Sequence, residues 1–322
     1  MRKFKKILIT GIAGSGGSYL AEYVKKKYPN IKIIGISRWH VTSTNRNLKK
    51  IINKIKMYEC DLQDITSIIP ILKKEKPDAI FHLAAHANVL ASFKTPISVI
   101  QNNILGTANL LEAIKLTGTD PIFLMCSTSE VYGNVSKADI PITEDCKFSP
   151  ASPYAVSKIS QDLLSQVYFK NYGIKVIVTR MFTYLNPKRT DLFATAFTKQ
   201  VVEIERGERK FLYHGNLNSI RTIIDYDDAM ESYWYAATRG RVGEIYNIGG
   251  LKIIKVGEFL KLLKKNSKVT INSKLDKKLL RPTDVTLQIP SMKKFKRHTK
   301  WRPKVSFEQS VKKLLNYCRE NY

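Results

Sequence analysis

The sequence predicts an α/β fold, a doubly wound parallel sheet followed by a smaller C-terminal α/β region. Three observations predict it. Short apolar runs alternate with longer amphipathic stretches over the first 180 residues, a glycine-rich turn follows the first run, and the rhythm loosens after Arg180.

The runs Lys6–Thr10, Ile31–Ile36, Lys56–Cys60, Ala79–Leu83, Ile122–Cys126 and Lys175–Thr179 are apolar and often β-branched, as buried parallel strands are. Between them, 18–27, 47–54, 65–74, 99–116 and 157–172 carry the spacing of helices with one apolar face. Strand, helix, strand in succession requires right-handed crossovers that cover the sheet on both faces. Beyond Arg180, helical stretches at 196–206, 226–237 and 256–265 mix with short strands and loops marked by Pro187, Gly215, Gly249, Pro282 and Pro303. Residues 1–180 are therefore expected to form the dinucleotide-binding and catalytic part. Residues 181–322 are expected to be predominantly substrate-binding, with the chain free to cross back to the sheet. A last helix is expected to open at Ser306, capped with Gln309, and to bury Val311, Leu314, Leu315 and Cys318.

The 322 residues, 43% of them hydrophobic, suffice for a packed core, which argues against disorder. No run reaches the roughly 18 apolar residues of a membrane span, and the basic, apolar start reads as a first strand rather than a secretory signal. Cys60, Cys126, Cys146 and Cys318 are scattered without a CxxC pair, so neither a disulfide framework nor a metal site is suggested, and the cytosol is the expected compartment. The formal charge of +27 raises the question of nucleic acid, but the lysines are dispersed over nearly every segment and no nucleic-acid partner is expected. Residues 251–322 are more concentrated, with 20 Lys/Arg against 5 Asp/Glu, enough to steer a diphosphate toward the protein. Genome composition is the competing explanation of the overall charge.

The first strand runs into Thr10-Gly-Ile-Ala-Gly-Ser-Gly-Gly-Ser18, where Gly11, Gly14 and Gly17 stand three apart before a helix. That Rossmann-type spacing permits a tight turn and brings helix N-terminal amides onto a pyrophosphate. The second strand ends in Gly35-Ile-Ser-Arg38, with an arginine where NAD-binding chains carry an acid. NADP is expected, with NAD the alternative and a plain surface arginine the competing reading of Arg38. Asp61, after the third strand, is placed to meet the adenine edge or to cap a helix.

Thr128 and Glu130 follow the fifth strand, and Tyr154-Ala-Val-Ser-Lys158 opens a helix. Residues four apart share a helix face, so Lys158 is expected beneath Tyr154, lowering its phenol pKa for proton abstraction from a sugar hydroxyl. Thr128 and Glu130, two apart in extended chain, are expected to point the same way. An exposed, uninvolved acid is the competing reading of Glu130.

These motifs resemble the extended short-chain dehydrogenase/reductase family over essentially the whole chain, in the branch of GDP-mannose 4,6-dehydratase and GDP-4-keto-6-deoxymannose reductase. The resemblance is carried by Gly11-Ile-Ala-Gly-Ser-Gly-Gly-Ser-Tyr-Leu20, Thr128-Ser-Glu130, Ser152-Pro-Tyr-Ala-Val-Ser-Lys158, Gly215-Asn-Leu-Asn-Ser-Ile-Arg221, Leu280-Arg-Pro-Thr-Asp284 and Trp301-Arg-Pro303. It implies a GDP-linked manno-configured substrate, mannose or heptose, oxidised at C4, deprotonated at C5, dehydrated at C6 and reduced again there. Thr128, Glu130, Tyr154 and Lys158 would carry that chemistry, while Arg221 and Arg281 would bind diphosphate and Asn88, Ser129, Thr183 and Arg189 the sugar. A homodimer or homotetramer is implied as well, and the loop from Arg38 to Asn47 is similar to one that reaches a neighbouring subunit. Two departures fall where the hexose should sit. Thr183 replaces the usual Asn after Phe182, and Ala87 and Asn88 replace Ser and His. They motivate the expectation of an altered sugar such as a heptose. C4 oxidation, reduction or epimerisation without water loss remains the second reading, and a non-catalytic dinucleotide sensor or polyanion binder the third.

Overall fold

The computed structural model describes residues 1–38, 46–280 and 285–322. The described residues form twelve strands and eleven α-helices. The strands are β1 (Lys6–Thr10), β2 (Lys32–Ser37), β3 (Lys56–Glu59), β4 (Ala79–His82), β5 (Ile122–Thr128), β6 (Val176–Met181), β7 (Leu212–His214), β8 (Ile220–Thr222), β9 (Ile245–Ile248), β10 (Ile253–Lys255), β11 (Ser273–Leu275) and β12 (Leu287–Gln288), counted among the described residues. The helices are α1 (Ser15–Lys27), α2 (Ile65–Glu75), α3 (Val89–Lys94), α4 (Pro96–Ile100), α5 (Gly106–Thr117), α6 (Pro153–Tyr172), α7 (Phe193–Glu205), α8 (Tyr226–Arg239), α9 (Val256–Asn266), α10 (Lys293–Thr299) and α11 (Phe307–Asn321).

The main sheet is parallel, in the order β3-β2-β1-β4-β5-β6-β9. Strand alternation divides its side chains between two cores. Ile7, Ile9, Phe81 and Leu124 face the helices α1 and α8, whereas Leu8, Ile80, Phe123 and Met125 face α2 and α5. The strand order reverses between β1 and β4, the switch point where such sheets bind ligands. From the C-terminal half, β9 completes the sheet beside β6, and α10 packs with α8 on the first core. A separate apolar cluster joins α7, α9 and α11, and it includes Val311, Leu314, Leu315 and Cys318. Ser306 and Gln309 form the reciprocal cap of α11. Two small sheets, β10-β8-β12 and β11-β7, complete this part.

Two expected helices differ. The stretch 47–54 forms two 3-10 turns, Arg46–Leu48 and Ile52–Lys54, with only Leu48 and Ile51 of the segment buried. The long helix expected at 99–116 is interrupted by a π-helical turn, Gln101–Leu105, between α4 and α5. The interruption turns Asn103 inward, where its amide accepts from the His86 backbone N–H at 2.7 Å and donates to Ser157 Oγ at 2.9 Å. A side chain that serves two neighbouring elements explains why the helix gives up its regular pattern here.

Candidate active site

A cavity of about 750 Å³ opens at the C-terminal ends of β1, β4 and β5 and extends to β8 and β12. Its floor is the first glycine turn. Gly11 has φ +65°, and a Cβ there would stand 2.8 Å from Ala84 Cα; one on Gly17 would stand 2.5 Å from the Gly11 carbonyl oxygen. The turn therefore closes only without side chains at these positions. Gly14, at the N-cap of α1, offers no side-chain acceptor to the helix amides, and Gly14, Ser15, Gly16 and Gly17 all line the cavity. Such a bare helix start fits the pyrophosphate of a dinucleotide. Two further lining groups, Ser127 Oγ and Asn186 Oδ1, are buried without a hydrogen-bond partner among the described residues, as polar atoms in a ligand site often are.

Beneath the turn, Thr10 Oγ1 bonds His82 Nδ1 at 2.8 Å and His82 Nε2 bonds Thr107 Oγ1 at 2.9 Å. Burial, assisted by the Lys158 charge, pushes the His82 imidazole down to about 3, so it is a neutral spacer here. Thr10 Oγ1 also accepts from the Ala84 amide at 3.2 Å, fixing the chain against Gly11. Arg38 lines the cavity beyond β2, with Nη2 3.4 Å from His86 Nε2. Asp61 lines it too, but its carboxylate accepts from the Gln63 amide at 3.0 Å, and the N-cap of α2 is Asp64.

Thr128, Ser129, Glu130, Tyr154 and Lys158 all line the same cavity. Thr128 and Glu130 do not lie on extended chain as expected. Thr128 ends β5 and caps a 3-10 turn, Ser129–Tyr132, its Oγ1 accepting from the Glu130 amide at 3.3 Å. The turn nevertheless keeps the Glu130 carboxylate on the cavity wall near Tyr154.

Tyr154 and Lys158 do share a face of α6, which Ser152 caps through the Ala155 amide, but the lysine acts differently from expectation. Lys158 Nζ donates to the Cys126 carbonyl at 2.7 Å. The Tyr154 phenol is raised rather than lowered, by burial and then by the Glu130 charge, although the Thr128 hydroxyl and the more distant Arg189 pull it back down. Lys158 is itself lowered to about 8, by burial that its neighbours Cys126 and Asp162 only partly offset.

The other expected sugar contacts are partly occupied by the protein. Arg189 Nε donates to Asp191 Oδ1 at 2.6 Å and Nη2 to the Ala87 carbonyl at 3.1 Å, while Asn88 donates to Asp191 Oδ2 at 3.0 Å and caps α3. Asp191 thus organises both, a role that sequence spacing did not reveal. Thr183 lines the cavity, and its carbonyl accepts from the Ile224 amide at 3.1 Å. Arg221 lines the cavity as well and donates to Gln288 Oε1 at 2.7 Å and the Val285 carbonyl at 2.9 Å. Gln288, also not anticipated, reaches from there to Glu130. Arg281 and most of the loop from Arg38 to Asn47, namely 39–45, lie outside the described residues.

The comparisons with known proteins agree with this fold. Residues 8–314 match the model of the GDP-mannose 4,6-dehydratase family. The chain is 27% identical to GDP-6-deoxy-D-mannose reductase of Pseudomonas aeruginosa, over 97% of this chain and 96% of that one. The structure of RMD from Pseudomonas aeruginosa complexed with NADPH superposes with a TM-score of 0.84 at 25% identity, covering 99% of this chain and 100% of that one. DesIV, a dTDP-glucose 4,6-dehydratase from Streptomyces venezuelae with NAD and TYD bound, gives 0.85 at 26% identity, covering 98% and 97%. With a doubly wound sheet, a glycine turn at its switch point and a tyrosine–lysine pair facing it, the chain belongs to the GDP-mannose 4,6-dehydratase family of extended short-chain dehydrogenases/reductases.

Proposed function

We propose that the protein is a nucleotide-sugar 4,6-dehydratase acting on a GDP-linked manno-configured sugar, mannose or heptose, with residues 1–180 binding the cofactor and residues 181–322 mainly the substrate. The observation that carries this reading is that a hydroxyl, a carboxylate and a phenol, those of Thr128, Glu130 and Tyr154, line the same cavity as the glycine turn. Gly11, Gly14 and Gly17 would hold the pyrophosphate of a nicotinamide dinucleotide, Asp61 would lie near its adenine, and Arg38 would favour NADP over NAD. Bound there, the cofactor supplies the acceptor for hydride from C4 and its donor to C6.

The chain's own groups do the rest. Thr128 and Tyr154 hold the C4 oxygen; Tyr154, acting as its phenolate, takes the C4 hydroxyl proton and returns it to C5 when C6 is reduced. Glu130 removes the proton from C5, made acidic by the C4 carbonyl, and protonates the departing C6 hydroxyl. Lys158 supplies positive charge beneath the tyrosine. Arg221 and Arg281 are the proposed diphosphate contacts; Asn88, Ser129, Thr183 and Arg189 border the hexose. Incubation with GDP-, UDP-, CDP- and dTDP-sugars followed by mass analysis tests the reading. Loss of one water from a GDP-sugar is expected, whereas unchanged mass or a two-hydrogen difference would favour chemistry at C4 alone. Glu130→Gln should bind cofactor and lose dehydration; undiminished dehydration would remove Glu130 from the mechanism.

We further propose a homodimer. On α6, Val156, Leu163 and Val167 are exposed at helical spacing, and Leu90, Phe93, Ile97 and Leu105 are exposed on the adjoining α3–α5 segment. A mass of twice 36.8 kDa by light scattering, halved in Leu163→Glu, is the expected result. The four free cysteines suit a reducing compartment, the cytosol.

A further inference from the structure

We propose that Gln288 is a positioning residue that holds the Glu130 carboxylate at the reacting carbons and ties it to the diphosphate-binding Arg221, an assignment that rests on the function proposed for Glu130. Gln288 ends β12, which pairs in parallel with β8 so that Gln288 stands directly across from Arg221. Gln288 is 3% exposed and Arg221 8%.

The orientation of the amide is determined by its surroundings. A guanidinium has no acceptor, so the atom that receives Arg221 Nη1 at 2.7 Å must be the glutamine oxygen. The amide nitrogen then points the other way and donates to Glu130 Oε1 at 3.3 Å. The Glu130 amide, donating to Thr128 Oγ1, fixes the backbone at the same point. One carboxylate oxygen of Glu130 is thereby engaged, leaving the second as the oxygen that can exchange a proton with substrate. Because Arg221 also donates to the Val285 carbonyl, it is itself anchored, and the glutamine transmits a fixed reference rather than a loose contact.

A carboxylate that must first take a proton from C5 and then return one to the C6 oxygen gains from a donor that prevents its rotation between the two steps. Neither the hydride transfer at C4 nor proton abstraction by Tyr154 uses this bond. The consequence is selective: loss of Gln288 slows elimination and spares C4 oxidation.

The test compares Gln288→Met, nearly isosteric but with no amide, with Glu130→Gln and the unaltered enzyme, each loaded with cofactor and given the GDP-sugar that the panel identifies. Reduced-nicotinamide absorbance in a single turnover reads C4 oxidation, and mass reads water loss. For Gln288→Met, kcat for water loss should fall on the order of tenfold to a hundredfold, with the oxidation step at saturating substrate nearly unchanged and reduced cofactor accumulating. Gln288→Glu, which keeps the acceptor for Arg221 but has no amide donor, should show the same split. Equal loss of both steps, together with a lowered melting temperature, would mean a merely structural role and overturn the proposal. So would unchanged elimination in Gln288→Met while Glu130→Gln is inactive. Full dehydration by Glu130→Gln would instead overturn the underlying assignment of the acid.

Discussion

Lys158 donates to the backbone carbonyl of Cys126, 2.7 Å away, from the turn of α6 that follows Tyr154. The lysine is therefore anchored near the C-terminal end of β5, the strand that ends in Thr128 and runs into the turn that carries Glu130. Buried and lowered to about 8, its ammonium is present below that pH and lost as pH rises through it. A fall in kcat on the alkaline side, centred near pH 8, is expected. Lys158→Met should lose roughly a hundredfold or more in rate, and its residual activity should lack that limb. A steady-state pH profile checks both points.

Arg38 stands at the end of β2 beside His86. Arg38→Ala should weaken NADPH binding about tenfold to a hundredfold, the worth of charge-assisted hydrogen bonds, while leaving NADH binding nearly unchanged. Fluorescence titration of both cofactors measures the difference.

A methyl group on Gly17 would meet the Gly11 carbonyl oxygen at 2.5 Å, too close for any rotamer to relieve. Gly17→Ala should cost about 1–3 kcal/mol of stability by forcing the turn open. It should also lower dinucleotide affinity by at least roughly tenfold. Thermal melting with and without cofactor separates the two effects.

Glu75 closes the far edge of the sheet, receiving Lys56 Nζ at 2.6 Å, Lys6 Nζ at 3.0 Å and the Tyr58 hydroxyl. Burial alone would raise its pKa, but hydrogen bonds from Lys56, Tyr58 and Lys6 outweigh it and hold the carboxyl at about 2. Its stabilisation is fully present above about pH 4.5 and is lost as pH falls toward 2, and because Lys56 stands half exposed it is screened below the full worth of that shift. Glu75→Gln should be less stable at neutral pH and show a shallower dependence between those limits in denaturant titrations.

Much of the sheet was legible because β1, β4, β5 and β6 are apolar on both faces, a pattern that few other elements produce. The glycine turn and the Tyr154–Lys158 pair were legible because their spacing is local. What escaped was long-range. Gln288 meets Glu130 across 158 positions, and Asp191 meets Asn88 across 103, so no periodicity connects them. The Tyr154 phenol moved against expectation because burial and a nearby acid are tertiary quantities, not properties of a four-residue interval.

The π-helical turn at Gln101–Leu105 also bears on how this scaffold tolerates length changes. Deleting one residue there would restore an even spiral, yet it would swing Asn103 about 100° around the axis. The strut between the His86 segment and Ser157 would be cut, and Ser157 sits between the two members of the tyrosine–lysine pair. Shortening this helix is thus an edit to the reaction chamber made from its outer wall, while surplus residues in distant surface loops would be absorbed harmlessly.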